Sequence, residues 1–427
     1  MEASHVQVSP IIYLRIRNLR DSPLLPGLKQ IYIPDKKPID FASIILFASG
    51  ASLKVVELDH NAISERDFFI PFLSSLTSKS LAQLALRGTG NISLEPVYRL
   101  TSLQRLEIRL PTTYLYPQTI RKLENLVNLQ DLTLDVGAPL PVSDIDPRPV
   151  PTSSPSSYRD SGKLRRLRII GIPSSITRVL DDINLATLTT LVIDEMPENS
   201  KIPTKSFWMR CFDQVSACQA IKDIEINQLE KRSWGHDQYS LSISWFSALL
   251  NLHNMKSLVI NDSALSGSDE DFRLLACAFP KLKKLVVPPV LYGHGRTLAC
   301  LFYFSRYCPN LSTIKICIGF DILTNLDAIK NLPHPIPVNY GHPLKRLYIN
   351  SQFGQIQPAH MLQVAQFLDL LFPNLSILKP YDSNATETSN WKEIHQIRMA
   401  LEATRINTLQ HFRAMSKADT ADKESNN

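Results

Sequence analysis

The residues that could support catalysis are scattered through this chain of 427 amino acids, which has ten histidines and six cysteines. Zinc sites and thioredoxin-type sites commonly use C-x-x-C pairs, and none of the cysteines has that spacing. The sequence also has no phosphate-binding glycine loop, no H-E-x-x-H segment and no G-x-S-x-G elbow. We therefore expect no catalytic residue, no metal site and no cofactor, and we predict that the protein is not an enzyme.

A second group of polar residues is suited to binding another protein. Arg, Lys and Tyr alternate with apolar residues in short segments, as strand residues with one solvent-facing side do. Arginine and tyrosine are also frequent in the hot spots of protein interfaces. The predicted partner-binding residues are Tyr13, Arg15, Arg17, Arg105, Arg109, Arg166, Arg168, Lys284, Lys315, Arg346 and Tyr348.

The charges at these positions are grouped by sign. Acidic residues cluster in the segments that begin at Leu129, Leu188 and Ile221, and basic residues dominate the last third of the chain. We expect Lys284, Lys315 and Arg346 to share one outward position in three successive segments and so to form one row. Such a row predicts an acidic protein partner; the alternative is a solvated surface neutralised by nearby carboxylates.

The segments that carry these residues are copies of one motif, apolar-x-x-apolar-x-apolar. Fourteen copies run from IIYLRI at Ile11 to a degenerate LSILKP at Leu375, and from Leu28 onward they recur about every 29 residues. This is the pattern of a leucine-rich repeat, in which each copy forms a strand and neighbouring copies stack. Strands are predicted to begin near residues 12, 30, 55, 83, 105, 131, 166, 190, 223, 257, 284, 313 and 346.

The predicted fold is therefore an α/β leucine-rich-repeat solenoid. A curved parallel sheet should form its concave face, and the helices and irregular segments between strands should form its convex face. The solenoid is assigned to residues 1–387. Leu167 and Leu285 should lie in the repeat core, and Arg168 should lie outside it, where its replacement would have little effect on stability.

Three segments depart from the repeat. Residues 138–162 are rich in proline and serine, which predicts a loop insertion that proteases cut first. Residues 388–415 read as an amphipathic helix that caps the last repeat, with Asn390 and Glu393 as its capping box. Residues 416–427 are expected to be a disordered tail.

Composition and termini narrow the class of protein. The net charge of +6 is spread along the chain without the interleaved aromatic residues that stack on bases, so no nucleic acid is expected. No long apolar run and no signal-peptide pattern is present, which predicts no membrane partner and a cytoplasmic or nuclear, not secreted, protein.

Several predicted strands are preceded by a similar proline-containing sequence, as in the segments AFPKLKKLVV, YCPNLSTIKI, GHPLKRLYI and FPNLSIL. These segments resemble the repeat region of fungal F-box/leucine-rich-repeat proteins of the basidiomycete type, from Ile11 to about residue 415. That resemblance implies the substrate-binding part of an SCF-type ubiquitin ligase receptor. No F-box fits before Ile11, so a ligase adaptor is expected only if an F-box is supplied upstream. The alternative is a free-standing leucine-rich-repeat scaffold or inhibitor.

Overall fold

The computed structural model describes most of the repeat region. The described residues are 27–33, 53–59, 73–74, 76, 80–88, 93–111, 117–136, 163–196, 205–228, 240–261, 264–287, 296–319, 321–333, 341–351, 356–380 and 385–425. The first motif copy at Ile11, with Tyr13, Arg15 and Arg17, lies outside these residues. So does the insertion predicted at 138–162.

Each motif copy from Leu28 onward forms a strand, and every predicted strand start within the described residues is confirmed. The degenerate copy at Leu375, for which no strand start was predicted, also forms a short strand. The strands are β1 (Gln30–Ile33), β2 (Val55–Leu58), β3 (Gln83–Arg87), β4 (Arg105–Arg109), β5 (Asp131–Val136), β6 (Arg166–Gly171), β7 (Thr190–Glu195), β8 (Asp223–Gln228), β9 (Ser240–Ser242), β10 (Ser257–Ile260), β11 (Ala264–Ser266), β12 (Lys284–Val286), β13 (Thr313–Ile318), β14 (Arg346–Ser351) and β15 (Ile377–Lys379).

The chain divides into two compact units, and the residues of β8 are shared between them. In the first unit, strands β1 to β7 follow one another in chain order, each parallel to the next. In the second unit the order is β10, β12, β13, β14 and β15, also parallel. Parallel neighbours joined by helical or irregular segments are the architecture of a leucine-rich-repeat solenoid. The predicted fold class is confirmed.

The apolar motif positions form the core because the strands pair without a register shift. Leu106 pairs with Leu132, Leu132 with Leu167, and Leu167 with Leu191, so the leucines stack from strand to strand. All four are buried. Leu167 and Leu285 are fully buried, as the repeat pattern predicts.

Helices and 3-10 turns fill most intervals between strands. The helices are α1 (Pro117–Lys122), α2 (Pro173–Asp182), α3 (Lys205–Ser216), α4 (Asp269–Ala278), α5 (Cys300–Tyr307), α6 (Ile322–Lys330), α7 (Pro358–Leu371) and α8 (Ala385–Ser425), and the 3-10 helices are Val97–Arg99, Leu123–Asn125 and Ile243–Asn251. Ser268 caps α4 in a reciprocal capping box with Asp271. Among the described helices, none has the length and apolarity needed to cross a membrane.

A small second sheet was not predicted from the motif. Strand β9 pairs in parallel with β11, and neither belongs to a copy of the leucine motif. Leu241 and Leu265 are buried at the centre of this pair, and the Ser266 hydroxyl donates a hydrogen bond to the Leu241 carbonyl. Strand β9 precedes β10 in the chain and β11 follows it, so this second sheet joins the two segments on either side of β10.

Helix α8 covers the end of the second unit and packs on α7 and β15. Trp391 and Ile394 are fully buried, which agrees with a capping role. The helix begins at Ala385, so the predicted capping box at Asn390 is wrong and Asn390 lies inside the helix. It also continues to Ser425, although the tail from residue 416 was expected to be disordered. The segment 416–425 contains no glycine or proline, so nothing in it ends a helix.

Candidate protein-binding surface

The surface with the predicted binding residues is the side of the sheet opposite the leucine core, here called the outer face. In each strand the residues before and after the central apolar residue point to this face, because side chains alternate along a strand. Parallel pairing without a shift aligns these residues in rows, with neighbours about 4.8 Å apart. The charge pattern of the face therefore follows directly from the register.

In the first unit, the outer face carries an ion-pair network centred on Arg87 and Glu107. The Arg87 guanidinium donates two hydrogen bonds to the Glu107 carboxylate, at 2.8 and 3.1 Å, and a third to Asp59 at 3.3 Å. Nε of Arg109 lies 2.7 Å from the same carboxylate. Burial raises the pKa of Glu107, but the Arg87 hydrogen bonds and the Arg109 charge outweigh burial, so its pKa lies below the usual value.

A second network on this face joins Arg105, Asp131 and Arg166. Asp131 pairs in register with both arginines, one on each neighbouring strand. Its carboxylate oxygens lie 3.8 Å from Nε of Arg105 and 3.7 Å from Nε of Arg166. Both arginine side chains remain about half exposed, so these contacts are weak but place one negative charge between two positive ones.

The third network contains a fully buried carboxylate, Asp194. The Arg168 guanidinium donates a hydrogen bond to one Asp194 oxygen, and the Asn227 amide donates one to the other at 2.7 Å. The Asp194 side chain has 0% exposed surface. Removing Arg168 would leave a buried carboxylate without its cation, so the structure, unlike the sequence, leads us to expect that its replacement destabilises the protein.

These networks change the interpretation of the first unit. Four of the predicted binding residues, Arg105, Arg109, Arg166 and Arg168, contact carboxylates of the same chain. Carboxylates of the same chain therefore neutralise positive charge on this part of the outer face. Arg87, the centre of the largest network, was not among the predicted residues, although it pairs in register with Arg109 and occupies the same motif position.

In the second unit, the register differs from the prediction. Thr313 pairs with both Lys284 and Arg346, so these two cations share a row with Thr313 between them. Lys315 pairs instead with Val286 and Tyr348, in the next row of the outer face. The expected single row of three cations is wrong, because Lys315 follows the central apolar residue of its strand whereas Lys284 and Arg346 precede theirs.

The second row adds an aromatic contact and an unpredicted cation. The Lys315 ammonium group lies 5.2 Å from the centroid of the Tyr348 ring, within the range of a cation–π interaction. On the far side of Tyr348, the paired residue is Lys379, which is exposed. Lys379 was missed because its motif copy, LSILKP, is degenerate. Lys315 and Lys379 flank Tyr348 in its row, and Lys284 and Arg346 lie in the neighbouring row. We call Lys284, Lys315, Arg346, Tyr348 and Lys379 the basic face.

Three of the four cations of the basic face differ from the first unit's arginines, because none of the described carboxylates pairs with them. Lys284, Arg346 and Lys379 are exposed, and none of them makes an ion pair with a residue that the structure describes. Strands β12 to β15 contain no Asp or Glu. Lys284 and Arg346 lie two strand spacings apart, about 10 Å, which is close to the Debye length of about 8 Å, so salt screens much but not all of their repulsion.

Reactive chemistry is not evident elsewhere in the described residues. They contain no cluster of three or more His, Cys, Asp or Glu side chains that could hold a metal. The described cysteines are free thiols, and burial raises the pKa of Cys218 to about 11 and that of Cys308 to about 12. Such thiols remain protonated at neutral pH and are poor nucleophiles.

Comparison with known proteins gives distant structural likeness only. No family model and no curated protein matches the chain. Solved structures that resemble it include a TLR13–ssRNA13 complex (14% identity, 84% of this chain and 50% of that one, TM-score 0.38) and a TDR receptor (15%, 73% and 49%, 0.34). Another is the LRR ectodomain of the Arabidopsis thaliana receptor kinase GASSHO1/SCHENGEN3 in complex with CASPARIAN STRIP INTEGRITY FACTOR 2 (14%, 86% and 52%, 0.29). The chain spans about half the length of these proteins, and likeness at this level carries no information about its partners.

Proposed function

We propose that the protein is a protein-binding leucine-rich-repeat module whose basic face holds an acidic surface of its partner. The observation that carries this proposal is the contrast between the two units. Basic residues on the first unit's outer face are neutralised by carboxylates of the same chain, whereas Lys284, Arg346 and Lys379 have no described acidic partner. Tyr348 supplies the apolar contact area that charge alone lacks.

The wider role that we propose is substrate recognition in an SCF-type ubiquitin ligase, with the repeats as receptor. Its support is the resemblance of the proline-containing segments before the strands to fungal F-box proteins. The competing function is a free-standing scaffold or inhibitor with the same binding surface. Sequencing the transcript upstream of the Met1 codon, together with purification of the chain from its own cells, distinguishes the two. The ligase role requires either an in-frame F-box or an F-box partner that co-purifies with this chain.

The binding proposal is tested with partners captured on the purified chain. We expect the triple variant K284E/K315E/R346E to lose them, with a smaller salt dependence of any residual binding. The matched control is K29E/K54E/K163E, which reverses three exposed charges of the first unit and should retain the partners. Unchanged affinity and salt dependence in the triple variant would mean that the basic face is only solvated surface.

A further inference from the structure

A second line of positive charge borders the basic face. The residue before each main-sheet strand of the second unit stacks in register on its neighbours. The backbone hydrogen bonds run from Lys256 to Lys222, from Lys283 to Lys256, from Ser312 to Lys283, from Lys345 to Ser312 and from Ser376 to Lys345. Four of these six positions are lysines. We call Lys222, Lys256, Lys283 and Lys345 the lysine rim.

The lysine rim is accessible and is not neutralised within the described residues. Lys222, Lys283 and Lys345 are exposed and Lys256 is half-buried. None of the four ammonium groups makes an ion pair with a described residue. Consecutive rim positions are one strand spacing apart, about 4.8 Å, so the rim concentrates four charges along a line of about 20 Å.

The corresponding position is basic less often in the first unit, at three of its seven stacked positions, Lys29, Lys54 and Arg165. The corresponding residues of β3, β4 and β5 in the first unit are Ala82, Gln104 and Gln130, which stack by the same backbone hydrogen bonds and carry no charge. The repeat therefore tolerates neutral residues here, and folding does not require lysine. A line of like charges that folding does not need indicates a role in binding.

We propose, on the basis of the function inferred above, that the partner contributes an extended acidic segment that crosses the strands along the lysine rim beside the basic face. An extended peptide spans about 3.3 Å per residue, so acidic residues at every second position recur about every 6.6 Å. Flexible lysine side chains accommodate the difference from the strand spacing. Tyr348 is the one aromatic residue among the five of the basic face, which favours a peptide over a single-stranded nucleic acid that stacks its bases.

The experiment uses the full chain and a fluorescein-labelled twelve-residue peptide of alternating Asp and Ser, with alternating Asn and Ser as the neutral probe. We expect the acidic peptide alone to bind in fluorescence anisotropy, more weakly as salt rises. The rim variant K222Q/K256Q/K283Q/K345Q should weaken binding about tenfold or more, since four exposed ion pairs are lost. The control K29Q/K54Q/R165Q/K205Q removes the same charge from exposed positions of the first unit, three of them at the corresponding position before a strand, and should bind as the unmodified chain does.

Several results would overturn the proposal. They are absence of peptide binding to the unmodified chain at low salt, equal loss in the rim variant and its control, or tighter binding of a twelve-nucleotide oligo-dT than of the acidic peptide. Tests on captured protein partners separate the two proposals. Partners lost by K284E/K315E/R346E but retained by the rim variant would refute the rim and leave the basic face intact. Retention by both variants would refute the proposed function.

Discussion

Lys284 and Arg346 lie in one row of the sheet, each paired in register with the Thr313 that separates them. Two strand spacings place their backbones about 10 Å apart, so a side chain of the partner can enter between them. Lys315 and Tyr348 occupy the adjoining row. The cations of the second unit therefore form a two-dimensional surface and not the single line that the motif suggested.

The division between core and outer face predicts unequal effects for adjacent residues of β12. Leu285→Ala should lower the free energy of unfolding by about 2–5 kcal/mol, because the leucine is fully buried in the repeat core. Lys284→Ala should change it by less than about 0.5 kcal/mol, because the lysine is exposed. Urea denaturation followed by circular dichroism measures both, and equal effects would contradict the described register.

The buried Asp194 predicts a large effect of a partly exposed arginine. Arg168→Ala should destabilise the first unit by about 3–5 kcal/mol, because it leaves Asp194 charged and buried with only Asn227 as its partner. The neighbouring Arg165 is exposed, and Arg165→Ala is the matched control with an expected change below about 0.5 kcal/mol. The double variant Arg168→Ala, Asp194→Ala should recover part of the loss. A failure of the second change to compensate would argue against this pairing.

The lowered pKa of Glu107 predicts a pH-dependent contribution to stability. A carboxyl whose pKa is lower in the folded than in the unfolded state stabilises the protein above the unfolded value, and this stabilisation is lost as the pH falls through the folded value. Glu107→Gln should therefore destabilise the protein at pH 7 and have less effect below the usual glutamate pKa of 4.5. Thermal unfolding at a series of pH values tests this; a difference between the variant and the unmodified chain that does not change with pH would be inconsistent with it.

Tyr348 and the cations around it should act differently on binding. Tyr348→Ala should reduce affinity for a captured partner about thirtyfold, the scale of a hot-spot residue, without changing the salt dependence. Tyr348→Phe keeps the ring beside Lys315 and should retain most of the affinity. Isothermal titration at two salt concentrations makes the comparison. If the alanine variant binds as tightly as the phenylalanine variant, the ring is not an anchor.

Helix α8 should be required for the stability of the second unit. Trp391 is fully buried, and its indole nitrogen donates a hydrogen bond of 3.1 Å to the Ser351 hydroxyl. Trp391→Ala should cost about 3–5 kcal/mol. Phe412 lies on the same helix but is 65% exposed, so Phe412→Ser should leave the unfolding curve unchanged. A comparable loss from both variants would mean that the distal part of the helix is also packed.

Much of the fold was predictable from the sequence because the repeat is local. Each leucine motif fits one short strand, and stacking identical units requires the same residues to be buried in every copy. This is why the strand starts from Gln30 to Arg346 and the burial of Leu167 and Leu285 were correctly predicted. The basic character of the last strands was also apparent, since it depends only on which residues occupy the non-apolar positions of the motif.

What only the tertiary structure decided is how charges from different copies meet. Arg168 and Asp194 are 26 residues apart, and their pairing depends on the neighbouring positions of two strands and on the side-chain conformations between them. The same holds for Arg398 of α8, which is fully buried with Nη1 3.9 Å from the carboxylate of Asp369 on α7, although its position on an amphipathic helix is compatible with exposure. The motif determines which positions face outward. Whether an outward cation is neutralised within the chain or left for a partner depends on interactions across the strands that no single copy of the motif contains.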